Sequence, residues 1–193
     1  MASRGGHRPE GSDGSDHWHR ESIAWQYKIS SINKWRLRLA LFLQIQLGLL
    51  MFVRLLPGIA GAFGFTVIRL RRLDLPHPRP WEYAWLVSLI AAVIGWRSTP
   101  TNNSFLLKQF VLGTIVFGLA PVFFGAFDLR NDIMLYLQEK KFTYEMFGFP
   151  AVLIWSVFML IALQIHVFAL YFSVVLLRAW RPRPSISGKL KAR

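Results

Sequence analysis

The sequence predicts an all-α, polytopic membrane protein built as a four-transmembrane-helix bundle. Residues 147–177 form a run of 31 residues without a charged side chain. About 20 apolar residues, rising 1.5 Å each, cross the hydrocarbon core of a bilayer, whereas a surface helix of a soluble protein carries a polar face. The composition agrees, because 53% of the residues are hydrophobic and 17% are charged, against about 25% charged in soluble domains. Three more apolar stretches complete the predicted bundle.

The net charge of +13 would suggest nucleic-acid binding in a soluble chain. Here the Lys and Arg residues lie mostly beside apolar stretches, which is typical of membrane anchoring and orientation. We therefore expect a lipid bilayer, and no nucleic acid, as the partner of these charges. The chain contains no Cys, which excludes disulfide and thiolate chemistry.

The chain divides into a tail, a membrane domain and a second tail. Residues 1–22 are rich in Gly, Ser, Asp, His and Arg, so we expect a disordered cytosolic tail. His17 and His19 have a chelating spacing, but two ligands in a disordered tail make a weak metal site. Residues 23–180 are expected to form the four-span membrane domain, and residues 181–193 a basic cytosolic tail.

The first span is predicted over about 37–56. Residues 23–38, which precede and enter it, mix aromatic and basic side chains and so are typical of a membrane interface. Arg38 and Arg54 bracket the uncharged core of the span, and their long side chains can reach the headgroups. The N-terminus lacks the apolar core of a cleavable signal peptide, so this span is expected to target the chain.

Residues 57–80 are predicted to form a lumenal loop that lies partly in the interface. Pro57 and Gly58 are expected to end the first helix. The apolar stretch 57–68 is too short to span, and segments of 10–14 residues are typically re-entrant, interfacial or packed on the bundle. The sequence leaves the re-entrant and interfacial alternatives open.

Three further spans follow in the sequence. The second span is predicted at 81–96, bracketed by Trp residues that are typical of the interface. A tight polar turn is expected at 97–104, and the third span at 105–127. Residues 128–146 are polar and of mixed charge, so we expect a solvated loop before the fourth span at 147–177.

An even number of spans places both termini on one side of the membrane, and the distribution of Lys and Arg indicates which side. Twelve basic residues lie near the spans on the side of the termini and eight on the other. The twelve are Arg20, Lys28, Lys34, Arg36, Arg38, Arg97, Arg178, Arg181, Arg183, Lys189, Lys191 and Arg193. The eight are Arg54, Arg69, Arg71, Arg72, Arg79, Arg130, Lys140 and Lys141. The balance favours cytosolic termini, although the arginines from 69 to 79 oppose it.

Small or polar residues recur at helical spacing within the spans, as expected where helix backbones approach closely in lipid. The second span carries Ala84, Ser88, Ala91 and Gly95, and the third carries Thr114, Gly118, Pro121 and Gly125. The fourth span carries Ala162, His166, Ala169 and Ser173, and the first offers Gln44 and Gly48. These stripes are predicted to face the interior of the bundle.

Few residues in the spans have reactive or ionisable side chains. His166 is the one deep ionisable group, with Gln44, Gln46 and Gln164 as polar company. An interhelical hydrogen bond explains His166 better than a proton relay, which needs a chain of carboxylates or histidines. No metal, phosphate-binding or nucleophile motif occurs in the sequence. We therefore expect no catalytic site, cofactor or metal, and hence no enzyme.

The last five residues resemble a sorting address. Lys189 and Lys191 stand fifth and third from the end, the KxKxx spacing read by the vesicle coat that returns proteins from the Golgi to the endoplasmic reticulum. Two ammonium groups on a flexible cytosolic tail can enter acidic pockets together with the terminal carboxylate. The alternative is a generic basic flank of the last span.

Short motifs in a fixed order show that the chain resembles the Jagunal family. In chain order they are MASRGG with GSDGSD, Arg20-Glu21, Tyr27-Lys28-Ile29-Ser30, Trp81-Glu82-Tyr83, Phe147-Gly148-Phe149, Gln164-Ile165-His166, Leu170-Tyr171-Phe172 and Leu177-Arg178-Ala179-Trp180. Residues 54–75 and 128–146 match least. The resemblance implies a four-span protein of the endoplasmic reticulum membrane, with cytosolic termini and a lysine-based retrieval tail. It also implies a non-enzymatic role, through protein partners, in organising that membrane and in vesicle-mediated secretion and exocytosis.

A small transporter or channel subunit is the alternative function, with the inward polar stripes lining a path. Such proteins have paired broken helices or a ring of polar groups. Pro57 and Pro121 are the candidate breaks, and they do not occupy corresponding positions. A water-filled cavity lined by His166 and Gln44 would favour this alternative, whereas a packed interior would favour the trafficking function.

Overall fold

A computed structural model of the chain describes residues 15–64, 76–146 and 148–180, and most of these residues are helical. Helix α1 spans Ser15–Ala62 and the last helix, α7, spans Ala151–Ala179. The two helices pack side by side and antiparallel. At one end the Trp180 indole Nε1–H donates to Ser30 Oγ at 3.0 Å, and at the other the Arg54 guanidinium lies 5.5 Å from the centre of the Trp155 ring.

Shorter elements fill the space between α1 and α7. They are α2 (Pro80–Leu86), α3 (Ser88–Thr101), α4 (Ser104–Gly113), a π-helix (Thr114–Leu119), α5 (Ala120–Asp128), α6 (Arg130–Glu139), β1 (Glu145–Met146) and β2 (Phe149–Pro150). The two strands pair antiparallel, with Glu145 opposite Pro150 and Met146 opposite Phe149. This small hairpin departs from the all-α prediction and delays the start of the last helix to Ala151.

In the part of the chain that the structure describes, three helices are long and apolar enough to cross a membrane, judged by length and composition. They cover Ile23–Ala62, Ser104–Asp128 and Ala151–Ala179. The remaining predicted span falls on α2 and α3, which have 7 and 14 residues. Val87 separates them but keeps a helical backbone, with φ −60° and ψ −24°.

Helix α1 extends beyond the predicted first span at both ends. Helix α1 begins at Ser15, inside the segment expected to be a disordered tail, and it continues through Pro57 to Ala62. Proline costs a helix one hydrogen bond and crowds the preceding turn. Here packing compensates, because Ile59 lies against the buried core and Gly58 lies directly beneath the Tyr83 hydroxyl.

The two polar connections are also shorter than predicted. Helix α3 extends to Thr101, and the turn consists of Asn102 and Asn103. Asn102 adopts the left-handed conformation (φ 52°), and the Asn103 side-chain oxygen accepts the N–H groups of Phe105 and Leu106. Asparagine suits both roles, since it tolerates positive φ and caps helix N-termini.

Helix α6 replaces most of the solvated loop predicted at 128–146. Leu129, just before it, is buried, and Ile133 packs against the core. Asp132 is held by Arg79 from across the bundle end. These long-range contacts stabilise a helix whose composition alone indicates a loop, as tertiary context routinely overrides local propensity.

The buried core consists of two apolar clusters, one toward each end of the bundle. The cluster near the start of α7 is built around Trp81, Trp85, Trp155 and Phe158. The other cluster lies near the end of α7 and contains Leu37, Leu41, Leu107, Phe110 and Leu176. Between the two clusters, α1, α3, the π-helix and α7 each contribute one buried polar side chain.

Candidate functional sites in the helix bundle

The first candidate site is this polar layer, which consists of Gln44, Ser88, Thr114 and His166. All four residues are fully buried. They come from α1, α3, the π-helix and α7, so the layer includes a residue from each of the three long apolar helical segments and from α3. Buried polar groups in a membrane protein are expected to pair across helices, and two such pairs are present.

Trp85 and His166 form the first pair. The Trp85 indole Nε1–H donates to His166 Nε2 at 3.0 Å, and the ring centres are 5.9 Å apart. The interhelical hydrogen bond expected of His166 is therefore present. Because Nε2 accepts, a neutral imidazole must carry its proton on Nδ1. Nδ1 is itself buried without a hydrogen-bond partner.

Gln44 and Ser88 form the second pair. The Gln44 amide nitrogen donates to the Ser88 carbonyl oxygen at 3.2 Å and lies 3.3 Å from its Oγ. Gln44 Oε1 and Thr114 Oγ1 are buried without a partner. The layer thus offers amide, hydroxyl and imidazole groups but no carboxylate. It can hold helices in register, and it lacks the chain of ionisable groups that a proton relay needs.

The predicted inward stripes can be followed in the structure. Most of their members are buried: Gln44, Gly48, Ser88, Ala91, Gly95, Thr114, Gly118, Pro121, Gly125, Ala162, His166, Ala169 and Ser173. Ala84 is exposed, which corrects its assignment to the interior. The reason is local, because the large rings of Trp81 and Trp85 on the same short helix fill the interior at that level.

Gly118 shows why a small residue is needed in the stripe of the third span. A Cβ built on Gly118 would lie 2.9 Å from His166 Cε1 and 3.0 Å from Nε2. Real Cβ atoms do not approach other atoms so closely, so only glycine leaves room for the imidazole ring. The absence of a side chain at Gly118 therefore allows the His166 ring to occupy its position beside Trp85.

The π-helix that carries Thr114 and Gly118 has a local cause. Pro121 lies two residues beyond its end and has neither an N–H to donate nor room for the carbonyl four residues earlier. The preceding turn widens, and the Ala120 N–H donates to the Ile115 carbonyl, five residues back. Such π turns are inserted single turns that often occur at functional positions. This one carries Thr114 of the polar layer and places Gly118 against the His166 ring.

The second candidate site is an ion-pair cluster at the end of the bundle where α2 begins. Glu82 is fully buried, and its Oε2 lies 3.8 Å from an Arg54 guanidinium nitrogen. Arg54 also donates to the Pro76 carbonyl at 2.7 Å. The other Glu82 oxygen accepts the Arg79 backbone N–H at 3.1 Å. Glu82 is therefore both the carboxylate expected at a helix start and a buried link to α1.

Arg79 connects the same site to α5 and α6. Its two terminal nitrogens donate to Asp128 and Asp132, each at 2.8 Å. Burial acts to lower the pKa of Arg79, but the hydrogen bonds and charges of the two aspartates together raise it above its ordinary value. Both aspartates belong to the stretch 128–146 predicted as a solvated loop, and the structure instead places them in helices and pairs them with Arg79. No local pattern revealed the contact, since 49 and 53 residues separate the partners.

A cavity of about 390 Å³ opens beside this cluster. Its walls include Arg79, Glu82, Asp128, Tyr144 and Trp155. Within the described part of the chain, no group of three or more His, Asp or Glu side chains could hold a metal ion. A second, open groove lies between α1 and α7 and is lined by Leu43, Gln46, Leu47, Leu50, Ile161, Gln164, Ile165 and Phe168. His166 and Gln44 line neither the cavity nor the groove.

Other residues singled out by the sequence lie elsewhere. Gln46 and Gln164 are exposed on the outer face of α1 and α7. Lys189 and Lys191 lie outside the described residues, as do the basic residues at 69–72.

Comparison with known proteins gives matches along almost the whole chain. A family model described as "Jagunal, ER re-organisation during oogenesis" matches residues 1–184. "Protein jagunal" of Drosophila melanogaster is 29% identical over 192 residues, covering 95% of this chain and 96% of the fly protein. "Protein jagunal homolog 1" of Mus musculus is 32% identical over 182 residues, covering 93% and 94%. "Protein jagunal homolog" of Caenorhabditis elegans is 35% identical over 192 residues, covering 94% and 98%.

Proposed function

The chain belongs to the Jagunal family, and we propose that it supports the organisation of the endoplasmic reticulum membrane and vesicle-mediated secretion through protein partners. The observation that carries this proposal is the family match over residues 1–184, which includes every described helix. The family is named for re-organisation of the endoplasmic reticulum, and the long apolar helices suit a protein of that membrane. We extend this role in re-organising the endoplasmic reticulum to secretion and exocytosis, and to action through protein partners.

The proposed topology has four spans and cytosolic termini. Helices α2 and α3 together run from Pro80 to Thr101 and pack against the buried core from both sides of Val87, which supports a fourth span. With four spans, α1 and α7 bring both tails to one face. Contacts at that face support the arrangement, since Arg38 donates to Thr99 and Trp180 donates to Ser30.

The packed polar layer supports an organising role over transport. His166 and Gln44 are fully buried and paired with neighbouring helices. Neither lines either of the two cavities described above. A conduction path would require polar groups facing water, whereas these groups hold helix to helix.

We further propose that the C-terminal tail is a retrieval signal. Lys189 and Lys191 follow the end of the family match at residue 184, so this proposal rests on the tail itself. A cytosolic tail would present the two ammonium groups to the vesicle coat that returns proteins from the Golgi. The KxKxx spacing, rather than an adjacent lysine pair, is the specific feature to test.

Localisation of the full-length protein, tagged at the N-terminus so that Arg193 stays free, tests both proposals. We expect the parent protein in the endoplasmic reticulum and Lys189→Ser plus Lys191→Ser partly in the Golgi or at the cell surface. Lys140→Ser plus Lys141→Ser removes the same charge from exposed positions and should change nothing. If the tail variant stays in place, the lysines are only a basic flank. A parent protein at the plasma membrane would overturn the organising role itself.

A further inference from the structure

Two glutamines lie on the outer face of the bundle, and the packing of the interior does not account for polar side chains at these positions. Gln46 and Gln164 line an open groove of about 600 Å³ between α1 and α7. The other walls are apolar: Leu43, Leu47, Leu50, Ile161, Ile165 and Phe168. Within the described residues, neither glutamine amide has a hydrogen-bond partner, unlike the buried Gln44.

Both glutamines lie at the middle of their spans. Gln46 is the central residue of the uncharged stretch 39–53, with seven residues on either side. Gln164 is the central residue of the uncharged part of α7, 151–177, with thirteen on either side. At 1.5 Å per residue, both amides are as far from the headgroups as their helices allow.

The packing of α1 against α7 places the two amides at the same depth. The antiparallel contacts pair Ser30 with Trp180 and Arg36 with Phe172. Continuing this register along both helices brings residue 46 level with residue 164. The neighbours repeat as well, because each helix presents an apolar residue, a glutamine and an apolar residue at spacing i, i+3 and i+7: Leu43, Gln46 and Leu50 on α1, and Ile161, Gln164 and Phe168 on α7.

Lipid cannot satisfy these amides. Acyl chains have no hydrogen-bonding groups, so an exposed amide at the centre of the bilayer carries a desolvation cost that a facing polar group removes. Glutamine side chains commonly satisfy this need by hydrogen bonding across helices. The groove therefore requires an occupant that presents polar groups at mid-membrane depth.

We propose that the occupant is a second copy of this chain, and that the α1–α7 groove is a two-fold dimer interface in the membrane. Two copies inserted with the same orientation are related by an axis along the membrane normal, and rotation about that axis preserves depth. Each glutamine then meets Gln46 or Gln164 of the other copy at its own level. A primary amide has both donors and an acceptor, so it is complementary to another amide, as an isologous interface requires.

Self-association of the full chain in lipid bilayers tests the interface, for example by energy transfer between labelled copies at known density. We expect Gln46→Leu plus Gln164→Leu to weaken association by about tenfold, the scale of two interhelical hydrogen bonds in a bilayer. Gln109→Leu, an exposed glutamine outside the groove, is the matched control and should associate like the parent. Equal thermal stability of the variants in detergent shows that each monomer is folded.

Cysteine cross-linking gives a second readout with the glutamines intact, because the chain has no Cys of its own. Single cysteines at Leu43, Leu50, Ile161 or Phe168 should yield a cross-linked dimer from at least one position. Cysteine at Phe123, which is exposed on α5, should yield none. The proposal is overturned if the parent is monomeric, if the double variant associates as strongly as the parent, or if cross-links capture only a different membrane protein. Retention of the chain in the endoplasmic reticulum is a separate question, so these outcomes do not depend on the retrieval tail.

Discussion

At the scale of single residues, His166 is held from two sides. The Trp85 indole N–H fixes one nitrogen of the imidazole ring at 3.0 Å. The absent side chain of Gly118 provides the space for the ring itself. Three helical segments thus meet at one side chain, and its position depends on a donor from one and a glycine from another.

Gly118→Ala should therefore destabilise the protein, even though alanine is favoured over glycine within helices. The new methyl group would lie 2.9 Å from His166 Cε1, and the buried ring cannot move away without losing the bond from Trp85. Overpacking of this kind costs about 1–3 kcal/mol. The measurement is the unfolding midpoint of the purified protein in detergent.

Gly61→Ala is the matched control for this substitution. Gly61 also lies in a helix, but a Cβ there would meet no atom within 4 Å. Its midpoint should stay unchanged or rise slightly. Equal midpoints for both variants would show that the imidazole is not confined by Gly118.

The residue scale also shows what the sequence could reveal about the polar layer. The spacing of small residues indicated Gly118 and His166, because close helix approach in lipid requires small side chains. It did not indicate Trp85 as the partner of His166. The sequence alone does not distinguish a Trp whose indole N–H is buried in the bundle from a Trp at the membrane interface. It also misplaced Ala84, because a small residue can face lipid when large rings occupy the interior.

At the scale of elements, the buried pair of Arg54 and Glu82 joins α1 to α2. Glu82 is fully buried and Arg54 is 10% exposed. Removing one member of a buried pair leaves an unpaired charge and typically costs about 3–5 kcal/mol, whereas replacing both by apolar residues is often neutral. We therefore expect Glu82→Leu to lower the unfolding midpoint strongly, and Arg54→Leu plus Glu82→Leu to recover most of the loss.

An exposed pair provides the control for the Glu82 prediction. Lys141 and Glu139 lie 2.9 Å apart, with their side chains 75% and 51% exposed. Exposed pairs contribute about 0–1 kcal/mol, so Glu139→Leu should leave the midpoint nearly unchanged. A double Arg54 and Glu82 variant as unstable as Glu82→Leu alone would mean that the pair is not the cause.

Elements differed in how well the sequence predicted them. The apolar runs that form α1, the helical segment from α4 to α5, and α7 were recognisable in the sequence. A membrane helix forms all its backbone hydrogen bonds internally, so an apolar run of sufficient length is enough to identify it. Pro57 and the loop at 128–146 misled the prediction, since α1 continues past Pro57 and α6 forms through contacts of Leu129 and Asp132 with distant residues. Local propensity carries no information about such contacts.

At the scale of the whole molecule, cations lie over aromatic rings at both ends of the bundle, and one end also has the ion-pair cluster. The end near Trp180 has cations over aromatic rings, such as Lys34 over Trp180 at 5.8 Å. The other end has the ion-pair cluster of Arg54, Arg79 and Asp128. Arg54 and Arg79 belong to the basic residues that oppose the predicted orientation. Both are paired with carboxylates in the folded bundle, but the orientation depends on the number of Lys and Arg residues beside the spans and therefore needs a direct measurement.

Cysteine accessibility measures this orientation directly, since the chain supplies no competing thiol. Arg97 and Lys141 are both exposed and lie at opposite ends of the bundle. The reagent is a membrane-impermeant maleimide, added to cells in which only the plasma membrane is permeabilised. We expect it to label Arg97→Cys and not Lys141→Cys. Lys141→Cys should react only after the endoplasmic reticulum membrane is also permeabilised. The reverse pattern would overturn the proposed topology: either all four spans are inverted, or α2 and α3 do not cross the membrane. In both cases the C-terminal tail lies in the lumen, where no cytosolic coat could read Lys189 and Lys191. Labelling of both variants before the endoplasmic reticulum is opened would put both positions on the cytosolic side, so the helical segment Ser104–Asp128 between them would not cross the membrane.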